Sequence, residues 1–180
     1  MPCGVGRAAL VLPDGTLFGE GVKTRIKEQL LAECNLHTIV RLPNGVFSPY
    51  TGIKTNLLFF TKGKPTEHVW YYEHPYPVGV KNYNKTKPIR IEEFDAEKAW
   101  WGTEADGFAV RVENERAWRV SIEQIKAANY NLDQKNPHAA DVVSHDPEQL
   151  LADYARLQSE AQSLRDQLKS ILAQSLGAPA

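Results

Sequence analysis

β-Branched and aromatic side chains dominate two apolar runs near the middle of the chain, His37–Leu42 and Asn56–Thr61. Each run predicts a strand. The loop Pro43–Lys54 between them contains prolines and glycines and is too short to hold a crossover helix, so the two strands are predicted to pair antiparallel. Phe47 and Tyr50 lie in this loop. Aromatic side chains at a sheet edge favour the binding of a flat ligand.

The residues before these strands predict a further strand and a helix. Arg7–Leu12 is a continuous apolar run, which is typical of a strand buried on both faces. Pro13-Asp14-Gly15 ends this run. Over Gly21–Cys34, apolar residues recur at helical spacing with charged residues between them, which predicts an amphipathic helix.

Together these elements predict an α/β sheet. A strand, a helix and a strand within about thirty residues form a right-handed crossover unit, so Arg7–Leu12 and Leu36–Leu42 are predicted to be parallel. The antiparallel strand Thr55–Lys62 lies beside them. Because ligands of such sheets bind beyond the carboxyl ends of the parallel strands, the Pro13-Asp14-Gly15 turn and the Pro43–Lys54 loop are predicted to border a site.

The pattern weakens after the third strand. Val69–Tyr72 predicts another strand, which either continues the sheet or forms a hairpin with its predecessor through Gly63-Lys64-Pro65. Val120–Ala128 predicts a short helix, and residues 138–145 have the composition of a linker.

Two stretches between these elements are candidates for contacts. The stretch Lys81–Arg90 holds four basic residues, one tyrosine and no acid: Lys81, Lys85, Lys87, Arg90 and Tyr83. Basic side chains in a loop favour contact with phosphates, and a solvated loop without a binding role is the alternative. Trp100 and Trp101 are interpreted as a packing anchor, not as a binding platform.

The last segment has the clearest helical pattern. Asp146 is a candidate N-cap, Pro147 suits the first helical position, and Glu148 suits the positive end of the helix dipole. Apolar or small residues then recur alternately four and three positions apart: Leu150, Tyr154, Leu157, Ala161, Leu164, Leu168, Ile171 and Ser175. This spacing predicts a coiled-coil-like seam that ends at Gly177 and packs on its own domain or on a helix of another chain.

Composition narrows the class of protein. The 180 residues suffice for one domain, or for a small domain with an appendage, and a net charge of -1 means that nucleic-acid contact requires a local basic patch. The chain has two cysteines and no apolar run near the length of a membrane span, which predicts a cytoplasmic protein. Cys34 and His37 have the spacing of metal ligands, but two ligands without a second pair favour a structural role.

Four separated segments resemble one family. The segments are GRAALVLPDGTLFGEG, LHTIVRLPNGVFSPYTGIKTNLLFFTKG, VWYYE and NYNLDQKNP. They closely resemble the carboxyl-terminal part of the modification subunits of type I restriction-modification systems. Those subunits are adenine-N6 DNA methyltransferases that use S-adenosylmethionine. The resemblance runs from about Gly6 to Pro137 in register. It implies the last strands of a Rossmann-like methyltransferase sheet, with Arg7–Leu12 as the fifth strand and the antiparallel pair as the sixth and seventh.

The chain also departs from the family. It contains neither the glycine-rich cofactor loop that follows the family's first strand nor the Asn-Pro-Pro-aromatic tetrapeptide that holds the flipped adenine, and Asn136-Pro137-His138 does not replace the latter. Methyl transfer requires the donor and the acceptor to be held in line. The chain alone is therefore expected to be inactive, with no catalytic residue of its own, and to bind no S-adenosylmethionine.

The resemblance nevertheless implies site residues. Phe47 best matches the family's base-stacking position, and Tyr50 is the second candidate; packing of the loop is the alternative role. Lys54 and Asn56 are expected to reach the target nucleotide or its phosphates, or else to hydrogen-bond the loop. Asp14 is expected to border the pocket, with a turn-forming role as its alternative. Lys81, Lys85 and Lys87 are the expected DNA contacts of the basic stretch.

The resemblance also implies partners and a domain division. Residues 1–137 would be the end of a methyltransferase domain, residues 138–145 a linker, and residues 146–177 a helix for subunit association. Leu157, Leu164, Leu168 and Ile171 would contact the DNA-specificity subunit, and the restriction subunit would join the same complex. Exposure of the Arg7–Leu12 edge or of the terminal seam predicts self-association of the isolated chain. A coiled-coil assembly module without a catalytic role is the alternative function.

Overall fold

The computed structural model describes residues 6–138 and 147–177, in two compact units that divide after residue 139. The first unit contains β1 (Arg7–Pro13), α1 (Asp14–Leu17), α2 (Val22–Glu33), β2 (Cys34–Arg41), β3 (Thr55–Lys62), β4 (His68–Glu73), a 3₁₀ helix (Ile91–Phe94), α3 (Asp95–Trp101), β5 (Ala117–Ser121) and α4 (Ile122–Ala127). The second unit contains α5 (Pro147–Leu176). None of the helices in the described residues is both long and apolar enough to cross a membrane.

The strands form one mixed sheet in the order β1-β3-β2-β4-β5. β3 lies between β1 and β2 and is antiparallel to both, so that Leu58 is opposite Leu10 on one side and Ile39 on the other. β1 and β2 therefore run in the same direction. The predicted parallel pair and its antiparallel neighbour are confirmed.

β4 continues the sheet on the other side of β2. It pairs with β2 in parallel, and β5 pairs with β4 antiparallel. The alternative of a hairpin between the third strand and Val69–Tyr72 is wrong. The reason lies in the connection: the Gly63 N–H donates to Glu33 O and the Thr66 N–H to Leu31 O, so the chain is held against the end of α2 instead of turning back along β3.

Both faces of the sheet are packed. On one face, α2 and α4 cover a core of fully buried side chains that includes Leu36, Ile39 and Leu58, and the Tyr71 and Trp118 rings stack with centroids 5.3 Å apart. A second apolar cluster lies on the other face and includes Val40, Tyr72 and Trp101.

The tryptophan pair acts as the predicted packing anchor. Trp100 lies 5.1 Å from the Tyr72 ring and Trp101 lies 4.7 Å from the Phe59 ring, in each case between centroids. The Arg111 guanidinium sits over both indoles and over Phe108. Burial lowers the pKa of Arg111 to about 10, so it remains charged at neutral pH and holds the chain after α3 against the sheet.

Two predictions about β1 and the turn after it need correction. The Arg7–Leu12 strand is not buried on both faces, since Leu10 is 43% and Val11 is 53% exposed. The physical reason is that β3 is the only strand with which β1 pairs in the described part of the chain. Asp14 also begins the short helix α1, where the sequence predicted only a turn.

The region around Val120 also differs from its predicted structure. The predicted helix Val120–Ala128 begins only at Ile122, because Val120 and Ser121 belong to β5, a strand that the sequence analysis missed. The predicted terminal helix is present as α5. The proposed N-cap Asp146 and most of the proposed linker lie outside the described residues.

Candidate functional site

A polar cleft lies at the edge of the sheet where β1, β2 and β4 end. Its volume is about 430 Å³. It is lined by Asp14, Arg41, Leu42, Pro43, Asn44, Lys54, Asn56, Glu73, His74, Pro75, Tyr76 and Arg116. The prediction that the Pro13-Asp14-Gly15 turn and the Pro43–Lys54 loop meet at the carboxyl ends of the parallel strands is confirmed in its geometry.

Asp14, Lys54 and Asn56 form one side of the cleft. The backbone N–H of Asp14 donates to Lys54 O at 3.0 Å, and the side-chain amide of Asn56 donates to Asp14 Oδ1 at 2.8 Å. Asn56 is 1% exposed, so its side chain holds Asp14 in place and does not project into solvent. The three predicted residues are together, with Asn56 in the hydrogen-bonding role.

A second side of the cleft consists of residues that the sequence analysis did not select. Arg41, at the end of β2, pairs with the Asp133 carboxylate and donates to Gln134 O at 2.9 Å. The Asn136 amide donates to Glu73 Oε2 at 3.1 Å. These contacts place the 131–136 segment along the cleft. A charged residue at the end of each predicted strand was the signal that could have identified Arg41 and Glu73.

A buried histidine and a buried carboxylate lie behind this edge. His74, the first residue after β4, is hydrogen-bonded through Nδ1 to Glu97 of α3, and its ring stacks on Phe94 with centroids 4.5 Å apart. His74 Nε2 and Glu97 Oε2 have no hydrogen-bond partner within the described residues. The pair fixes the end of β4 against α3 and so sets the position of this wall.

The aromatic loop, residues 43–54, lies beside the cleft. Phe47 is 38% exposed and Tyr50 is 93% exposed, and neither lines the cleft itself. The N–H groups of Tyr50 and Thr51 donate to Phe47 O, which closes a backbone turn over residues 47–51. Both side chains are therefore exposed in a loop whose two ends, Pro43 and Lys54, line the cleft.

The basic loop, residues 81–90, presents three of its predicted contacts. Lys81, Lys85 and Lys87 are exposed. Tyr83 is instead buried, and its hydroxyl donates to the Glu93 carboxylate. Burial and this hydrogen bond raise the pKa of Tyr83. The loop therefore exposes these three ammonium groups to solvent, while its aromatic ring holds it to the protein.

The proposed partner-binding face of α5 is open. The side chains of Leu157, Leu164, Leu168 and Ile171 are all exposed. The same holds for Leu150 and Tyr154, whereas the side chain of Ser175 lies outside the described residues. An apolar stripe of this length on one helix is typical of a surface that packs on another element.

No group of three or more potential metal ligands occurs in residues 6–138 and 147–177. Cys34 is buried at the start of β2, where its carbonyl accepts a hydrogen bond from Thr66 Oγ1. His37 packs on the Phe108 ring with centroids 4.8 Å apart.

Solved structures of other proteins have a fold similar to that of this chain. A modification subunit of a putative type I restriction enzyme from Vibrio vulnificus is 48% identical, with a TM-score of 0.68 over 78% of this chain and 29% of that one. A chain from a structure concerned with complex assembly and conformational transition of the type I restriction-modification system is 36% identical, with a TM-score of 0.71 over 97% of this chain and 37% of that one. The fold is thus a mixed α/β sheet similar to that of type I methyltransferase subunits.

Sequence comparison gives the family. The model of the N-6 DNA methylases matches residues 4–146, so the chain belongs to this family. The EcoEI methylase subunit of a type I restriction enzyme from Escherichia coli is 67% identical over 171 residues, which is 95% of this chain and 35% of that protein. The chain therefore spans about a third of the curated relative that it matches.

Proposed function

We propose that this chain is the carboxyl-terminal part of a type I modification subunit. It contributes target-adenine stacking, DNA contact and docking of the specificity subunit to adenine-N6 methylation with S-adenosylmethionine. The observation that carries the proposal is an exposed aromatic loop whose two ends, Pro43 and Lys54, line a polar cleft at the carboxyl ends of the parallel strands. This edge is where open α/β sheets bind ligands. The enzyme would act on DNA in the cytoplasm.

We expect S-adenosylmethionine to bind to the parent enzyme and not to this chain alone. Gly19 and Gly21 lie between β1 and α2, where the Lys27 ammonium donates to Leu17 O at 2.7 Å and to Gly19 O at 3.0 Å. A Cβ at Gly19 would lie 2.2 Å from the Lys23 side chain, so lysine side chains occupy this glycine turn. The cofactor would bind elsewhere in the parent enzyme, and the chain alone would be inactive.

The DNA-contacting role rests on two loops. An enzyme that modifies a base extrudes it from the stack and holds it against an aromatic or apolar face. Phe47 and Tyr50 offer such faces, and Lys54, at the end of the same loop, lines the cleft together with Asp14 and Asn56. Lys81, Lys85 and Lys87 would contact phosphates, which position DNA without reading its sequence.

The subunit-docking role rests on α5. Its exposed seam would pack on a coiled coil of the DNA-specificity subunit, and the restriction subunit would join the same assembly. In this division, residues 1–137 are the end of the methyltransferase domain and residues 138–145 a linker. The alternative function, an assembly module without a catalytic role, uses the same seam and predicts that changes in the aromatic loop have no effect on methylation.

The substitution Phe47→Ala separates these functions. The test uses a chimera in which this chain replaces the matching stretch of the EcoEI methylase subunit. Because base–aromatic stacking contributes about 1 to 3 kcal/mol per base, we expect methylation of a hemimethylated duplex to fall by a factor between about 5 and about 150. Ile53→Ala is the matched control, since Ile53 is an exposed apolar residue of the same loop. Equal rates for the two variants would leave only the assembly function.

A further inference from the structure

The aromatic loop touches the basic loop at a glycine. Gly45 has a φ of 80°, in the left-handed region. A Cβ at this position would stand 2.3 Å from Asn82 Oδ1 and 2.6 Å from the backbone oxygen of Tyr83. Real Cβ atoms essentially never approach other atoms within 3.0 Å. Only glycine allows the two loops to lie this close together.

A second contact reaches the aromatic loop one residue earlier, from Tyr76, which precedes the basic loop. The Tyr76 hydroxyl donates to Asn44 O at 3.0 Å. The Tyr76 ring packs on Tyr83 with centroids 5.4 Å apart. Tyr83 therefore lies beneath both contacts with the aromatic loop.

Tyr83 is itself fixed to the body of the protein. It is 2% exposed, and its hydroxyl donates to Glu93 of the 3₁₀ helix. The other carboxylate oxygen of Glu93 accepts the Arg90 N–H at 2.9 Å. A continuous set of contacts thus runs from Gly45 through Tyr83 to the 3₁₀ helix, and it fixes where Phe47 stands relative to Lys81 and Lys85.

We propose that Gly45 and Tyr83 are positioning residues, which hold the aromatic loop at a set distance from the basic loop while DNA is bound. This proposal rests on the proposed function of both loops. Phosphate contacts by the exposed lysines would fix the duplex, and the Gly45 contact would then place the Phe47 ring where the extruded base stacks. Displacement of a positioned group by about 1 Å can lower a rate by up to about a hundredfold.

The chain offers a matched pair of glycines for the test. Gly79 has a φ of 81°, nearly the same as Gly45, but a Cβ there would meet nothing within 4 Å. Gly45→Ala and Gly79→Ala therefore place alanine at nearly the same positive φ, and only Gly45→Ala also brings a Cβ into the contact between the loops. Both are introduced into the chimera, and kcat, the KM for duplex and the fluorescence of 2-aminopurine at the target position are measured.

We expect Gly45→Ala to lower kcat about tenfold relative to Gly79→Ala, with the KM for duplex unchanged within about twofold. The 2-aminopurine signal of the extruded base should change with kcat. Tyr83→Phe, which removes only the hydroxyl that reaches Glu93, should shift kcat in the same direction by a smaller factor. Equal kcat values for Gly45→Ala and Gly79→Ala would overturn the proposal, as would a loss confined to KM.

The experimental results that would reject this inference differ from those that would reject the proposed function. If Phe47→Ala lowers kcat while Gly45→Ala matches Gly79→Ala, stacking stands and the positioning role is rejected. If Phe47→Ala and Ile53→Ala are equal, the stacking role itself is rejected. Hydrogen exchange of the Tyr50 and Thr51 amides in the full 180-residue chain measures the stability of the aromatic loop independently of any activity assay. We expect faster exchange in Gly45→Ala than in Gly79→Ala.

Discussion

His37 shows how a single side chain makes the fold sensitive to pH. Its ring packs between Phe108 and Trp101, and burial lowers its pKa to about 4, with Arg111 and Arg7 acting in the same direction and Glu104 opposing. The unfolded chain binds a proton at His37 near pH 6.5, whereas the folded chain does not until about pH 4. Acidification through this window therefore favours the unfolded state.

We predict that His37→Gln removes part of this dependence. Between pH 7 and pH 5 the wild-type chain should lose about 1 kcal/mol more of its free energy of unfolding than the variant, a figure reduced to allow for the partial exposure of the ring. Urea titrations at both pH values measure the difference. His68→Gln is the control, since His68 is exposed. Parallel losses in wild type and His37→Gln would contradict the assignment.

At this scale the sequence predicted three residues that line the cleft, Asp14, Lys54 and Asn56. Their proximity was predictable because each lies at or next to the end of a recognisable strand, and strand ends meet at one edge. Arg41 was overlooked although it is a charged residue at the end of a predicted strand. Its pairing with Asp133 was not predictable, because the two residues are 92 positions apart and no local pattern predicts so distant a pair. The burial of Tyr83 was hidden for the same reason, because Glu93 and the aromatic loop reach it only in the folded chain.

At the scale of elements, predictions succeeded where a regular pattern of apolar residues extends over a long enough stretch of the chain. α5 and α2 were recognised from helical spacing, and β2 and β3 from β-branched runs. β5 was missed because its five residues are followed at once by α4, and a strand this short has little room for an alternating pattern. Its boundary did carry a signal, since Ser121 and Gln124 form a capping box.

The seam of α5 leads to a prediction about association. Its exposed leucines should pack on a partner, and in the isolated chain another copy is available. We expect the wild-type chain to self-associate at micromolar concentration, and Leu164→Glu with Leu168→Glu to give a monomer near 20.2 kDa in sedimentation analysis. Two charges placed in an apolar contact lose hydration without gaining partners.

The control adds the same charges away from the seam, as Ser163→Glu with Ser170→Glu, both at exposed positions. This variant should associate like the wild type. A monomeric wild-type chain would reject self-association altogether. If the leucine variant remains dimeric, the contact lies at the exposed edge of β1 instead, because an unpaired strand edge also pairs readily with another chain.

At the scale of the whole molecule, we propose that this chain carries only some of the functions that methylation requires. Its described residues supply a polar cleft, an aromatic loop and a basic loop, and the chain spans 35% of the EcoEI methylase subunit. In this proposal, S-adenosylmethionine binds to another part of the parent enzyme. We therefore propose that the chain is necessary for methylation but not sufficient.

Transfer of a labelled methyl group to duplex DNA tests this claim most directly. The isolated chain, the EcoEI methylase subunit without the matching stretch, and the chimera are each assayed with the EcoEI specificity subunit. We predict no transfer by either part alone and transfer by the chimera within about tenfold of the intact subunit, a difference of about 1.4 kcal/mol in barrier height. Transfer by the isolated chain would contradict the account, as would an assembled chimera that binds S-adenosylmethionine and DNA but transfers no methyl group.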